Sequence, residues 1–136
     1  MADRRSTYTA SGSSLNASKM SNSDALSLWH RVTLEHVISE EPDLTKRQFS
    51  LLTTVYLEGG PHTVRSLAAR LNVTKAVITR ALDTLASYQF IERRVDPRDK
   101  RSVIIVRTAR GSTFLTRFAQ TIRAEIKHGR LSVVAA

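Results

Sequence analysis

The stretch Thr63–Leu85, TVRSLAARLNVTKAVITRALDTL, predicts two short helices joined by a tight turn. The first is expected over Val64–Leu71, and the second begins after Thr74. Apolar residues of the second helix recur at i, i+1, i+4, i+5 and i+8, which is one face of a 3.6-residue period. These residues are Val77, Ile78, Ala81, Leu82 and Leu85. The pattern is typical of a helix-turn-helix.

Residues between the two helices carry the matching local signals. Thr63 and Thr74 suit N-caps, because a side-chain hydroxyl satisfies an unpaired backbone N–H of the first turn. Asn72 stands where the first helix must end, and Asn tolerates the left-handed conformation needed there. The small Ala68 allows the two helices to approach closely.

The second helix leaves a narrow polar and basic face exposed. Lys75, Ala76, Thr79 and Arg80 form this face. Charged and hydroxyl donors on a helix of this kind suit the major groove of DNA, so we expect Lys75, Thr79 and Arg80 at base edges.

Composition agrees with a polyanionic partner. The chain has 136 residues, which favours one domain, and a formal net charge of +9. Residues 1–44 carry four basic and six acidic residues, whereas residues 45–136 carry seventeen basic and six acidic ones. The positive charge therefore belongs to the part that holds the helix-turn-helix.

Several classes of protein are disfavoured. There is no Cys, which excludes disulfides and thiolate metal sites. No apolar run is long enough to cross a bilayer and the N-terminus has no signal-peptide pattern, so we expect a cytoplasmic, nucleoid-associated protein without a membrane partner. No nucleophile motif and no cluster of carboxylates or His indicates an enzyme, and we expect no catalytic residue, no metal and no cofactor.

The segments before the helix-turn-helix predict a tail and two helices. Residues 1–22 are rich in Ser, Thr and Ala and are expected to be disordered. Arg4 and Arg5 could contact DNA phosphates from a flexible arm, but an untethered tail is the preferred interpretation. Residues 23–40 predict a helix capped by Ser23, whose broad apolar face suggests burial on two sides, one of them by a second subunit. A capping box at Thr45–Gln48 begins the next helix, which Gly59-Gly60-Pro61 ends.

The segments after it predict a hairpin and a long helix. Strands are expected over residues 90–94 and 102–107, joined by the charged turn Val95–Arg101. A basic hairpin directly after a helix-turn-helix is typical of a wing, so Arg98, Lys100 and Arg101 are predicted to contact DNA, with Asp96 and Asp99 holding the arginines. A long helix follows over residues 109–127, and Gly129 is expected to end it.

This order of elements resembles the MarR family of winged-helix transcriptional regulators. The matching segments are Leu44-Thr45 with Gln48-Phe49, Thr63–Lys75, and the wing run Asp96-Pro97-Arg98-Asp99-Lys100-Arg101 followed by Thr108 and Gly111. Gln89-Phe90 stands where the family usually has Gly-Leu, which indicates a strained or reshaped turn into the wing.

The resemblance implies a mainly α fold with a small β-hairpin, a winged helix-turn-helix with flanking dimerisation helices, over residues 23–131. It implies a homodimer on a pseudo-palindromic operator, with dimer contacts from residues 24–40 and 109–127, a helix-turn-helix over 63–86 and a wing over 90–107. Thr74, Ser66 and Arg65 are expected to contact the flanking phosphates.

The usual outcome in the family is repression, relieved by a small-molecule effector that is often an aromatic acid. Trp29, His30, Arg47 and Tyr56 are candidate lining residues by location only, and packing or surface exposure is the preferred interpretation of all four. The alternative function is a non-specific or architectural DNA-binding protein that uses the same fold and charge.

Overall fold

The computed structural model describes residues 19–135, with side chains to residue 129. Residues 1–18, which include Arg4, Arg5 and most of the predicted tail, lie outside the described residues. The elements are α1 (Asn22–Ile38), α2 (Lys46–Leu57), α3 (Val64–Leu71), α4 (Lys75–Ser87), β1 (Ile91–Asp96), β2 (Asp99–Arg107) and α5 (Ala109–Ala135). The mainly helical fold with one antiparallel hairpin is the predicted one.

The helix-turn-helix is confirmed residue by residue. The Thr63 hydroxyl accepts from the N–H of Ser66 at 3.0 Å, and the Thr74 hydroxyl accepts from the N–H of Val77 at 3.3 Å. Asn72 ends α3 in the left-handed conformation, with φ 55°. Local capping therefore fixes where both helices begin and where the chain turns between them.

One core joins α2, α3, α4, the hairpin and the start of α5. Its buried members are Leu51, Leu52, Val55, Leu67, Ala68, Ile78, Ala81, Leu82, Leu85, Phe90, Ile91, Ile105 and Phe114. In α1, by contrast, only Val32 is buried among the described residues of the chain. Helix α1 therefore lies beside this core, packed against α5.

The hairpin is longer and its turn is tighter than predicted. The strands pair from Ile91 opposite Arg107 to Asp96 opposite Asp99, so only Pro97 and Arg98 remain for the turn. Lys100 and Arg101 lie in β2, not in a seven-residue loop. The β2 backbone also bonds a third segment, because the N–H of Ile105 donates to the carbonyl of His62 at 2.8 Å.

The hydroxyl of Tyr56 holds α2, the hairpin and α5 together. It accepts from the N–H of Thr108 at 2.9 Å and lies 2.8 Å from the carbonyl of Phe90 and 3.0 Å from that of Thr108, the two acceptors for its proton. Arg107 adds a bond from its Nε to the carbonyl of Val55, at 3.1 Å. Buried backbone groups at the base of the wing are thereby satisfied.

Three predicted boundaries were wrong. Ser21, not Ser23, caps α1: its hydroxyl accepts from the N–H of Asp24, whose carboxylate accepts from the Ser21 N–H. Helix α1 ends at Ile38, before residue 40. Gly129 does not end α5, which continues to Ala135; a glycine weakens a helix interior by only about 1 kcal/mol, too little to stop a helix of this length.

The turn into the wing is strained, as the Gln89-Phe90 pair predicted. Gln89 adopts φ 60°, which favours glycine. Its carbonyl accepts from the Thr108 hydroxyl at 2.7 Å, and its side-chain oxygen accepts from Arg110. These bonds to the start of α5 offset part of the cost of the left-handed conformation.

Close packing at Gly111 makes the first prediction. A Cβ at this position would overlap the Tyr56 hydroxyl and the carbonyl of Phe90. We expect Gly111→Ala to lower the free energy of unfolding by about 3 kcal/mol or more, because neither group can move without breaking the bonds at the base of the wing. Urea unfolding measures the change; Ser112→Ala, one residue further at an exposed position, is the control and should be near neutral. If the two variants change the free energy of unfolding by the same amount, the close approach at Gly111 is wrong.

Candidate nucleic-acid interface

The outward face of α4 is basic, and its two cations have no internal partners. Lys75, Ala76, Thr79 and Arg80 are all exposed. Within residues 19–135, neither Lys75 nor Arg80 makes a side-chain hydrogen bond or an ion pair. The apolar residues of α4 face the core, with Ile78, Leu82 and Leu85 at 0% exposure. The helix therefore presents two unpaired cations on the side opposite to its packing.

The three hydroxyls predicted to contact DNA differ in whether their proton is free to be donated. The Ser66 hydroxyl donates its proton to the carbonyl of Thr63 at 3.1 Å, and the Thr79 hydroxyl donates to that of Lys75 at 3.0 Å. The Thr74 hydroxyl accepts from Val77, so its proton remains available. Thr74 can therefore donate to a phosphate while it caps α4, whereas Ser66 and Thr79 must exchange an existing bond.

The tip of the hairpin carries cations without partners. In the described part of the chain, the side chains of Arg98, Lys100 and Arg101 make no ion pair and no hydrogen bond. Asp96 and Asp99 do not hold the arginine side chains, contrary to the sequence prediction. Their carboxylates accept instead from the backbone N–H groups of Arg98 and Arg101, at 2.9 and 3.0 Å, because a carboxylate two residues before an amide closes a tight turn.

Sequence reasoning missed the contact between the hairpin and α4. Arg93 of β1 donates from Nη2 to a carboxylate oxygen of Asp83 at 2.7 Å and lies 3.4 Å from the carbonyl of Thr79. Asp83 and Thr79 are four residues apart, on one side of α4. The nine residues between Asp83 and Arg93 include a turn, so no local periodicity points to this pair.

Arg65 also stands free, on the first turn of α3. It is exposed and has no ion pair among the residues that the structure describes. Arg70, at the other end of α3, is occupied: its guanidinium bonds Glu58 through Nε and Nη2, and this hydrogen bonding lowers the pKa of the Glu58 carboxyl. Free cations thus lie on α3, α4 and the hairpin tip; among the described residues, Lys46 and Arg47 of α2 and Arg123 and Lys127 of α5 are also without an ion pair.

The predicted effector-lining residues do not line the cavities found. One cavity of about 200 Å³ lies between the end of α1 and α5. Its lining residues are Glu35, His36, Ser39, Glu41, Phe114, Arg117, Phe118 and Thr121. Another, of about 300 Å³, lies behind β2 and is lined by Val55, Gly60, Pro61, His62, Ile104, Ile105, Val106 and Arg107. Trp29, His30, Arg47 and Tyr56 line neither, and the Tyr56 hydroxyl is occupied by its bonds at the base of the wing.

Residues 19–135 contain neither a metal-ligand cluster nor a membrane-spanning helix. No three His, Cys, Asp or Glu side chains there are grouped as a metal ion requires. No helix in that range has the length and the apolar composition to cross a membrane.

Sequence comparison supports the predicted resemblance. Residues 44–103 match the model of the MarR family. The chain is 32% identical over 83 residues to the uncharacterized HTH-type transcriptional regulator YkoM of Bacillus subtilis (strain 168), covering 60% of this chain and 53% of YkoM. It is 48% identical over 52 residues to the HTH-type transcriptional repressor YetL of the same organism, covering 38% of this chain and 31% of YetL. The chain thus spans about half or less of the length of these relatives.

Solved structures share the fold. The transcriptional regulator Tm0710 from Thermotoga maritima superposes with a TM-score of 0.62 and 23% identity, covering 76% of this chain and 70% of that one. The S. aureus MepR–DNA complex gives 0.62 and 18%, covering 83% and 87%. CouR from Rhodococcus jostii RHA1, bound to p-coumaroyl-CoA, gives 0.57 and 23%, covering 78% and 71%. At these identities the likeness establishes the winged-helix fold.

The cap of α4 makes the second prediction. Thr74→Ala removes the oxygen that accepts from Val77, and should lower the free energy of unfolding by about 1 kcal/mol. Thr74→Asp keeps an acceptor at the same place and should unfold within about 0.5 kcal/mol of the natural chain. Urea unfolding of the three chains checks the order. If Thr74→Asp loses as much as Thr74→Ala, the hydroxyl does not act as the cap.

Proposed function

We propose that this protein, whose residues 44–103 match the model of the MarR family, is a DNA-binding transcriptional regulator that binds a pseudo-palindromic operator as a homodimer. The observation that carries the proposal is the set of unpaired cations on α3, α4 and the hairpin tip. Cations without internal partners can bind phosphates and base edges with no bond to break first.

The proposed assignment follows the position of each side chain. Lys75, Thr79 and Arg80 on α4 read base edges in the major groove, and Ala76 allows the helix backbone to approach them closely. Thr74, Ser66 and Arg65 bind the flanking phosphates, because a helix N-terminus with free donors suits an anion. Arg98, Lys100 and Arg101 act from the wing on the backbone or the minor groove.

An apolar face on α1 supports the homodimer. Leu26 and Ile38 are both 70% exposed, Val37 is 59% exposed and Trp29 is 56% exposed. Large apolar side chains grouped along one helix are unfavourable in water and typical of a protein interface. We propose that two copies of this face meet across a two-fold axis, with α5 beside it, which would place two recognition helices about 34 Å apart.

By analogy with similar proteins, we propose that the regulator is a repressor and that a small-molecule effector relieves the repression. YetL, 48% identical over 52 residues, is a transcriptional repressor. CouR was solved with p-coumaroyl-CoA and MepR with ethidium bromide. In this chain the cavity between α1 and α5 joins the proposed dimer helix to the rest of the domain, with His36 in edge contact with Phe114 and Phe118 at 5.5 and 5.3 Å between ring centroids. We propose it as the place where an effector acts.

A second candidate, non-specific or architectural DNA binding, is favoured by the net charge of +9. Selecting bound fragments from the host genome and sequencing them separates the two functions. A discrete protected palindrome supports the regulator. Uniform coating, equally sensitive to salt on any sequence, supports the architectural protein.

Two single variants test whether α4 reads the DNA sequence while the wing binds the DNA backbone. On the duplex most enriched in that selection, Arg80→Ala should cost about 1–3 kcal/mol of binding free energy, and much less on a shuffled duplex of equal composition. Lys100→Ala should weaken both about equally, because a backbone contact carries no sequence information. Fluorescence anisotropy at fixed salt measures all four affinities. Equal losses for Arg80→Ala on both duplexes would mean that Arg80 binds only a phosphate.

The dimer is tested separately from DNA. Leu26→Glu should shift the chain from dimer to monomer at micromolar concentration, because it places a charge on the apolar face of α1. Ser50→Glu adds the same charge at an exposed position of α2 and should leave the dimer intact. Sedimentation velocity distinguishes the species. A monomeric natural chain, or a dimeric Leu26→Glu, contradicts the proposed interface.

A further inference from the structure

The cavity of about 300 Å³ behind β2, called the β2 cavity below, is separate from the one between α1 and α5. Its walls come from Val55 of α2, from residues 60–62 and from residues 104–107 of β2. The backbone bond from the Ile105 N–H to the carbonyl of His62 holds the first of these segments against the strand. The two cavities share no lining residue, so a molecule in the β2 cavity occupies a site of its own.

The walls of the β2 cavity are mainly apolar. Val55, Pro61, Ile104 and Val106 supply carbon surface. Val55 and Ile105 are 1% and 3% exposed, so these walls belong to the packed core and are already formed without a ligand. A formed, mostly apolar hollow with a few polar groups is typical of a small-molecule site. At about 30 Å³ for each water-sized group, this one accommodates about ten non-hydrogen atoms.

The polar side chains of the lining are those of His62 and Arg107. The His62 Nε2 lies 3.1 Å from the carbonyl of Glu58 and donates its proton there, because a carbonyl can only accept. The Arg107 Nε donates to the carbonyl of Val55 at 3.1 Å, and its Cζ lies 5.7 Å from the centroid of the Tyr56 ring. In the described part of the chain, the two Nη nitrogens of Arg107 have neither a hydrogen bond nor an ion pair.

A guanidinium held in this way is suited to a carboxylate. Two N–H donors of its planar fork match the two oxygens of a carboxylate in parallel charge-assisted bonds. Because the Nε bond and the ring contact already restrict the Arg107 side chain, little of its conformational freedom is left to lose on binding. Beyond this cation the walls are apolar, so they favour an apolar body over a second charged group.

The geometry points to the β2 cavity as a binding site for a small monocarboxylate with an apolar body. The carboxylate pairs with the Nη nitrogens of Arg107, and the body covers Ile104 and Val106. The cavity contacts both the wing strand and the segment that leads into α3, so a bound ligand stabilises the arrangement of these two parts. This site does not depend on the proposed DNA-binding function.

Three probes separate the charge from the apolar body. Sodium hexanoate, hexanamide and sodium acetate are titrated into the full chain at constant ionic strength and followed by ¹H–¹⁵N NMR. Hexanoate should shift the amide signals of His62, Ile105 and Val106 with a Kd of about 1 mM. Hexanamide lacks the charge and acetate lacks the body, so each should bind at least about tenfold more weakly. If either of them binds as tightly as hexanoate, the inference is overturned.

Matched variants decide which cavity hexanoate occupies. Arg107→Gln removes the cation of the β2 cavity, and Arg117→Gln removes the arginine of the cavity between α1 and α5. The Kd of hexanoate should rise at least about tenfold in Arg107→Gln and stay within about twofold in Arg117→Gln. Arg107→Lys keeps the charge without the fork and should lie between Arg107→Gln and the natural chain. The reverse order of Arg107→Gln and Arg117→Gln overturns the inference.

A cavity-filling variant tests the site without changing its cation. Ile104→Phe places a larger apolar side chain in the lining and should also weaken hexanoate binding at least about tenfold, because the body of the ligand loses its space. A melting temperature within about 4 °C of that of the natural chain shows that the fold is retained. If Ile104→Phe binds hexanoate as tightly as the natural chain does, the ligand lies elsewhere and the inference is overturned.

Discussion

The rotation of α4 about its own axis is the constraint on which the rest depends. Ile78, Leu82 and Leu85 are completely buried, and burying each such side chain stabilises the fold by about 1.5–3 kcal/mol. Turning the helix by one residue would bring Arg80 or Asp83 toward the core, where an unpaired charge is far more costly than any surface contact can offset. The apolar stripe of α4 therefore determines that Lys75 and Arg80 face outward.

The wing depends on a second set of bonds, at the Tyr56 hydroxyl. That atom contacts backbone groups on both sides of the hairpin, at Phe90 before it and Thr108 after it. Gly111 provides the space, and the left-handed Gln89 turns the chain into β1. The base of the wing and the start of α5 are thus one packed unit. A movement of the start of α5 would therefore also move the base of the wing. Further out along β1, Arg93 contacts Asp83 of α4.

The sequence predicts the parts of this structure that local interactions decide. The bounds of α3, the caps at Thr63 and Thr74 and the left-handed Asn72 were all predictable, because each depends on residues at most five positions apart. Gly129 was misread because helix propensity competes with packing along a 27-residue helix. The roles of Asp96 and Asp99 were misread because a pattern of opposite charges does not say whether a carboxylate accepts from a side chain or from an amide. The Arg93–Asp83 contact was missed because it depends on how two elements pack.

Ion pairs divide the cations of the described residues into two groups. Several arginines of the described range form ion pairs between segments that are distant in sequence, among them Arg70 with Glu58 and Arg117 with Glu41. The lysines of the proposed DNA face, Lys75 and Lys100, take no such part. The arginines of that face, Arg65, Arg80, Arg98 and Arg101, take no such part either, so the two groups differ in whether a carboxylate lies within reach and not in the kind of cation. Arg93 belongs to the first group by its geometry, although it stands among residues of the second group. Arg93 lies in a strand of the hairpin, where a DNA contact could be expected. Its guanidinium is instead bonded to Asp83 and to the carbonyl of Thr79.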